Sequence, residues 1–149
     1  MDTVEWVRPD EVHYENRRIV LVNGCFDLLH TSHMRLLFSA RERAGGDGIV
    51  LVALDSDEKV QRNKGVGRPV LSWSERAAAL SYMPINAICE IDTEEDMDTL
   101  VKNLKPTMRV QGADYLGKPS RYPHIPKMIV RNGISTSDII ARIKNETAR

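Results

Sequence analysis

Two histidines three positions apart, His30 and His33, lie in the stretch Val22-Asn23-Gly24-Cys25-Phe26-Asp27-Leu28-Leu29-His30-Thr31-Ser32-His33. Imidazoles beside an anion site can hydrogen-bond phosphate oxygens. Upstream, Arg17-Arg18 leads into Ile19-Val20-Leu21. That short β-branched run, ended by Asn-Gly, reads as a strand buried on both faces. Downstream, Leu36, Leu37, Ala40 and Ala44 recur at helical spacing, with Arg35, Arg41, Glu42 and Arg43 outward. The histidines thus sit where a strand turns into a helix. Ser32 is placed to cap that helix, whose first N–H groups have no internal partners. Such a start, with its positive dipole end, favours an anion, typically phosphate. Taken alone, H-x-x-H equally fits two solvated or core-satisfied histidines. Asp27 either orients one histidine or caps a turn.

Other groups suit the same chemistry. Residues 61–69 hold Arg62, Lys64, Gly65, Gly67 and Arg68 without periodicity, which predicts a mobile basic loop; by itself this is a solvated face. Gly133-Ile134-Ser135-Thr136-Ser137 places a glycine turn before hydroxyls and free N–H groups at a helix start, suited to phosphates. Alone it reads as an ordinary N-cap. There is no convincing Ser-His-Asp or Cys-His nucleophile system. These groups fit attack by a phosphate oxygen on the α-phosphorus of a nucleoside triphosphate, with pyrophosphate leaving. The nucleophile is already an anion, so the enzyme supplies alignment and positive charge.

The elements that must hold these groups alternate along the chain. Strands are predicted at about 18–25, 49–54, 87–91, 108–110 and 127–130. The first helix is predicted over 32–44 and stops at Gly45-Gly46-Asp47-Gly48. A short helical turn follows through Val60. Capping-box spacing at Ser72/Glu75, Thr93/Asp96 and Ser135/Asp138 opens three further helices. The first of them runs to about Tyr82. The next carries the stripe Met97, Leu100, Val101, Leu104, and the last carries Ile139, Ile140 and Ile143. Residues 1–16 form a strap in which Trp6 is a packing anchor. Strand–helix alternation means an α/β fold with a parallel sheet covered on both faces, and right-handed crossovers restrict its topology.

The totals bound what the chain can be. Its 149 residues fit one domain with one core. Twenty-one Lys and Arg balance 21 Asp and Glu, which argues against a general binder of nucleic acid or of a membrane surface. Cys25 and Cys89 read as buried free thiols, with no zinc spacing, so no protein metal centre is expected. No apolar signal core or membrane-length run is present, which predicts a cytoplasmic protein.

The histidine stretch resembles the H-x-G-H signature of the cytidylyltransferase-like nucleotidyltransferase superfamily. Asn-Gly-Cys-Phe-Asp-Leu-Leu-His is most similar to the adenylyltransferase domain that makes ADP-heptose from heptose 1-phosphate. Ser32 stands where that family has glycine. Asn63-Lys64-Gly65-Val66-Gly67-Arg68-Pro69-Val70 resembles its Lys-Gly…Arg-Pro segment, Gly133 to Ser137 its Gly-x-Ser-Thr-Ser/Thr signature, and Gln111-Gly112-Ala113-Asp114-Tyr115 its Lys-Gly-Gly-Asp-Tyr segment. In the last of these, Gln111 and Ala113 replace lysine and glycine. Arg131-Asn132-Gly133-Ile134-Ser135-Thr136 is closer to glycerol-3-phosphate cytidylyltransferase. The resemblance covers about residues 18–143.

It implies a Rossmann-like doubly wound five-stranded sheet, order 3-2-1-4-5, with the site at the switch point between strands one and four. It makes His30, His33 and Lys64 catalytic. Gly24, Cys25, Phe26, Asp27, Arg68, Gly112, Asp114, Arg131, Ser135, Thr136 and Ser137 join the histidines in binding nucleotide. It implies transfer from an NTP, with ATP favoured, to a sugar or polyol phosphate such as heptose 1-phosphate. Magnesium would be bound mainly through the phosphates, and a homodimer is the family's habit. Heptose enzymes often carry a fused sugar-kinase domain, for which this chain has no room. Alternatives are a CTP-dependent glycerol-3-phosphate cytidylyltransferase and, given Ser32 and Gln111, a nucleotide-binding module without catalysis.

Overall fold

The computed structural model of the chain describes residues 3–131 and 133–147. Met1 and Asp2 of the expected strap, Asn132 of the 131–136 motif, and residues 148–149 lie outside the described residues. The two apolar runs become the centre of the sheet, β2 (Ile19–Gly24) and β3 (Ile49–Asp55). Every residue of β3 but Asp55 is buried, as a strand covered on both faces requires. On one side of this pair lie β4 (Ala87–Ile91) and β1 (Glu5–Val7), and on the other β5 (Met108–Gly112) and β6 (Lys127–Val130). All five pairings are parallel. The sheet therefore has six strands rather than five, in the order β1-β4-β3-β2-β5-β6; the added strand β1 changes the order at the β4 edge, while the five expected strands run β4-β3-β2-β5-β6. The sixth strand arises within the strap, where Glu5, Trp6 and Val7 pair with Ala87, Ile88 and Cys89.

Helices cover both faces. One face packs α4 (Glu94–Leu104) through Met97, Leu100, Val101 and Leu104 onto Leu21, Leu51 and Cys89. The other packs α1 (Thr31–Ala44) and α3 (Trp73–Leu80) onto Val20, Val22, Val52 and Ile88. Leu37, Leu80 and Leu100 are fully buried, each worth about 1.5–3 kcal/mol of apolar transfer. Between β3 and α3 runs α2 (Asp57–Lys64), and α5 (Thr136–Thr147) closes the described chain.

Local capping chemistry sets most helix starts. Thr93 and Asp96 form the reciprocal box of α4, and Ser135 and Asp138 exchange backbone-to-side-chain bonds at the start of α5. Ser72 accepts from the Glu75 N–H before α3, which ends at Leu80 rather than Tyr82. After α1, Gly45 takes φ +76°, and a Cβ on Gly48 would collide with the Ala44 carbonyl. Two expectations change here. His30, not Ser32, is the N-cap residue of α1, because the helix begins one residue earlier. Residues 61–64 are helical rather than loop, because Ser56 caps α2 through the Lys59 N–H and the helix runs on to Lys64.

Candidate active site

The loop from β2 to α1 is held in an uncommon shape. Phe26 and Leu28, neither a glycine, take φ 47° and 51° in the left-handed region. Such strain persists only where surroundings over-determine it, and here three side chains do so. Arg76 of α3 is completely buried. It donates to the carbonyls of Cys25 at 2.8 Å, Asp55 at 2.9 Å and Leu71 at 3.0 Å, and pairs with Asp57 at 2.7 Å. Asp27, also fully buried, accepts from the N–H groups of Val70 at 2.7 Å and Leu71 at 3.0 Å. The Arg68 Nε stands 3.5 Å from the same carboxylate. Of the two roles open to Asp27, its hydrogen bonds fill that of fixing a turn. Thr136, at the start of α5, donates to the Asp27 carbonyl at 2.7 Å.

The histidine rings stack, with centroids 3.8 Å apart and planes 21° from parallel. The His30 N–H donates to His33 Nδ1 at 3.4 Å. An accepting Nδ1 puts the proton of neutral His33 on Nε2. His30 Nε2 lies 3.4 Å from the Thr136 hydroxyl. Burial pushes the His33 pKa down to about 4, and the neighbouring His30 pushes the same way. Burial lowers His30 too, against the pull of Asp138. Both are neutral near pH 7.

These residues open onto a cleft of about 560 Å³ at the carboxyl ends of β2, β3 and β5. Of the residues picked from the sequence, it brings together Gly24, Cys25, Phe26, His30, His33, Lys64, Arg68, Gly112, Asp114, Ser135, Thr136 and Ser137. Asp27 lies behind the lining rather than in it. Arg131 lines a different, shallower groove of about 670 Å³ beside Arg35, Phe38 and Val130. Gln111 is buried in β5 and is not part of the lining.

Sequence reasoning missed several members. Asn23, Asp55 and Lys118 line the cleft, and a position at the carboxyl end of a parallel strand was the signal available for the first two. Asn23 donates to the Tyr115 hydroxyl at 3.3 Å and accepts from Arg109 at 3.1 Å. Arg109, 6% exposed, also reaches Ser120 at 3.3 Å and lies over the Tyr122 ring. Arg109 and Arg76 had no local signal. Among the described residues no three His, Cys, Asp or Glu come together to hold a metal ion.

The family model described as cytidylyltransferase-like matches residues 21–142, from the middle of β2 into α5. The chain belongs to the cytidylyltransferase-like family. Curated relatives of this cytidylyltransferase-like chain include the bifunctional protein HldE of Campylobacter curvus, 41% identical over 133 residues, covering 87% of the chain and 28% of the relative. HldE of Helicobacter pylori strain Shi470 is 38% identical over 139 residues, covering 91% of the chain and 29% of the relative. The chain thus spans under a third of the length of these relatives. Among solved structures, a lipopolysaccharide core biosynthesis protein of Thermoplasma volcanium superposes with TM-score 0.61 at 22% identity, covering 80% of this chain and 99% of that one. A macrolide-efflux protein of Streptococcus pneumoniae superposes with TM-score 0.69 at 20% identity, covering 95% of this chain and 56% of that one. At such identities the superpositions speak for the fold. No helix among the described residues is long and apolar enough to cross a membrane.

Proposed function

We propose that the chain transfers the nucleoside monophosphate of an NTP, ATP by preference, to a sugar phosphate such as heptose 1-phosphate, releasing pyrophosphate. The observation that carries this reading is the convergence on one cleft of the stacked pair His30/His33 and the start of α5, Ser135 to Ser137. Beyond Ser135, whose N–H is taken by Asp138, the N–H groups at that start suit the β- and γ-phosphates. The neutral imidazoles donate to oxygens on which charge develops as the acceptor phosphate attacks the α-phosphorus. Lys64, at the end of α2, and Arg68 line the same cleft and supply cationic charge to the triphosphate. No general base is needed, because the attacking oxygen is already anionic. Gly24, Cys25, Phe26, Gly112 and Asp114 are the wall against which the nucleoside rests, and Asp27 acts as a positioning residue behind it. The preference for ATP and a heptose-like acceptor rests on the similarity to HldE and on the motif wording.

Magnesium fits this site as an ion carried in by the triphosphate, since Mg²⁺ keeps several waters and takes few protein ligands. Asp55 and Asp114 are the carboxylates of the cleft lining nearest in kind to such an ion's needs. When bound, it neutralises phosphate charge. The test is pyrophosphate release with each of four NTPs against a panel of sugar and polyol phosphates. ATP with an aldose 1-phosphate is expected to turn over. CTP with glycerol 3-phosphate would select the cytidylyltransferase alternative, and binding of nucleotide without any turnover would select a module without catalysis.

A further inference from the structure

Ser32 stands where the resembled signature has glycine, and its side chain neither caps α1 nor projects freely into the cleft. It is 5% exposed. Its hydroxyl accepts from the N–H groups of Gly133 at 2.9 Å and Ile134 at 3.0 Å, and donates to the Ile134 carbonyl at 2.7 Å. One donor and two acceptor sites are all that a hydroxyl has, so Ser32 is saturated by a turn 101 and 102 positions away. That turn leads directly into Ser135, Thr136 and Ser137. The arrangement is not forced by glycine at 133: its φ lies outside the left-handed range, and a Cβ there would meet Ser32 Oγ only at 4.0 Å. Ser32 and Ile134 both line the cleft. A glycine at position 32 has no group that could take up those two N–H donors.

We infer that Ser32 is a positioning residue whose hydroxyl locks the Gly133–Ile134 turn onto α1 before any nucleotide arrives. In doing so it occupies two backbone donors that would otherwise be open to a phosphate oxygen. Phosphate contacts on this side of the cleft then begin at Ser135, and the turn does not have to be ordered when ligand binds. Removing an ordering step from binding raises affinity without touching the chemical step. The direction of this effect on binding rests on the nucleotide reading above; the lock itself does not.

The experiment compares the native protein with Ser32→Gly and Ser32→Ala by residue-resolved amide hydrogen exchange, with and without Mg·ATP, and by calorimetric titration of Mg·ATP and of inorganic tripolyphosphate. In the native protein, the Gly133 and Ile134 amides are expected to exchange slowly without ligand. In both variants they exchange at least about tenfold faster and regain protection when Mg·ATP is added. Binding of both ligands weakens about three- to tenfold, and in turnover the loss falls on KM rather than kcat. Fast exchange of both amides in the native protein, or unchanged exchange in both variants, overturns the lock. Tighter binding by Ser32→Gly overturns its positioning role, because the freed donors would then be ligand sites. Slow native exchange with no Mg·ATP binding to the native protein supports the lock and overturns the nucleotide reading instead.

Discussion

A neutral imidazole and an imidazolium do different work beside a triphosphate: one donates a hydrogen bond, the other also brings charge. Burial keeps His30 and His33 in the first state, which in the reaction proposed above leaves charge to Lys64, Arg68 and the start of α5. His30→Ala or His33→Ala is therefore expected to lower kcat/KM by roughly 10²–10³-fold, the loss typical of one donor to a developing oxyanion. Pyrophosphate release with a verified substrate pair measures it, and full turnover in either variant would remove that histidine from the reaction. The same burial makes stability depend on pH. Unfolded His33 takes a proton near 6.5, whereas in the fold it does so only near 4. Its contribution is complete above pH 6.5 and is lost as pH falls towards 4, at up to about 1.4 kcal/mol per pH unit. Denaturant midpoints between pH 7 and 4.5 should fall less steeply in His33→Gln than in the native protein.

Helices α3 and α5 each bring one decisive side chain to the loop after β2, and α2 brings Lys64 to the cleft. Arg76 of α3 joins three carbonyls and Asp57 through a planar fork. Lysine keeps the charge but cannot serve four acceptors at once. Arg76→Lys leaves buried carbonyls without their donors and is expected to cost at least about 1–3 kcal/mol, read by chemical denaturation. From α5, Thr136→Val removes the bond to the Asp27 carbonyl, a loss of about 1–2 kcal/mol. Calorimetry should show weaker triphosphate binding as well, because the α5 start is then untied from the histidine loop. Lys64 is on the last turn of α2, so Lys64→Ala should weaken binding of ATP but not of adenosine; equal losses would mean a structural role. What was legible in the sequence follows the reach of these ties. The boxes at Thr93/Asp96 and Ser135/Asp138 span three residues and could be read directly. Arg76 reaches 51 positions back to Cys25, and Ser32 reaches 102 forward. Nothing in their local spacing sets them apart from an ordinary helix arginine or an ordinary N-cap.

At the scale of the molecule, β2 and β3 were the most readable strands, because burial on both faces leaves a continuous apolar signal. β1 was not readable, since it has three residues and Trp6 is 59% exposed. Trp6 meets Trp73 edge to face at 5.1 Å, which pins the strap to α3. Trp6→Ala should cost about 0.5–1.5 kcal/mol beyond lost area, seen as a lower melting temperature, and should leave turnover unchanged. The ties between the histidine loop and the last helix have a consequence for how the protein comes into being. Thr136 meets Asp27 across 109 positions, and contacts of such separation form late because the chain between them must first be ordered. A nascent chain that has emerged only as far as β5 already contains β1 to β4 and the packing of α1, α3 and α4. It still lacks Ser135 to Ser137, and its histidine loop has not met its last support. The cleft is therefore completed only once α5 has been made, and a chain stopped after β5 should bind no triphosphate.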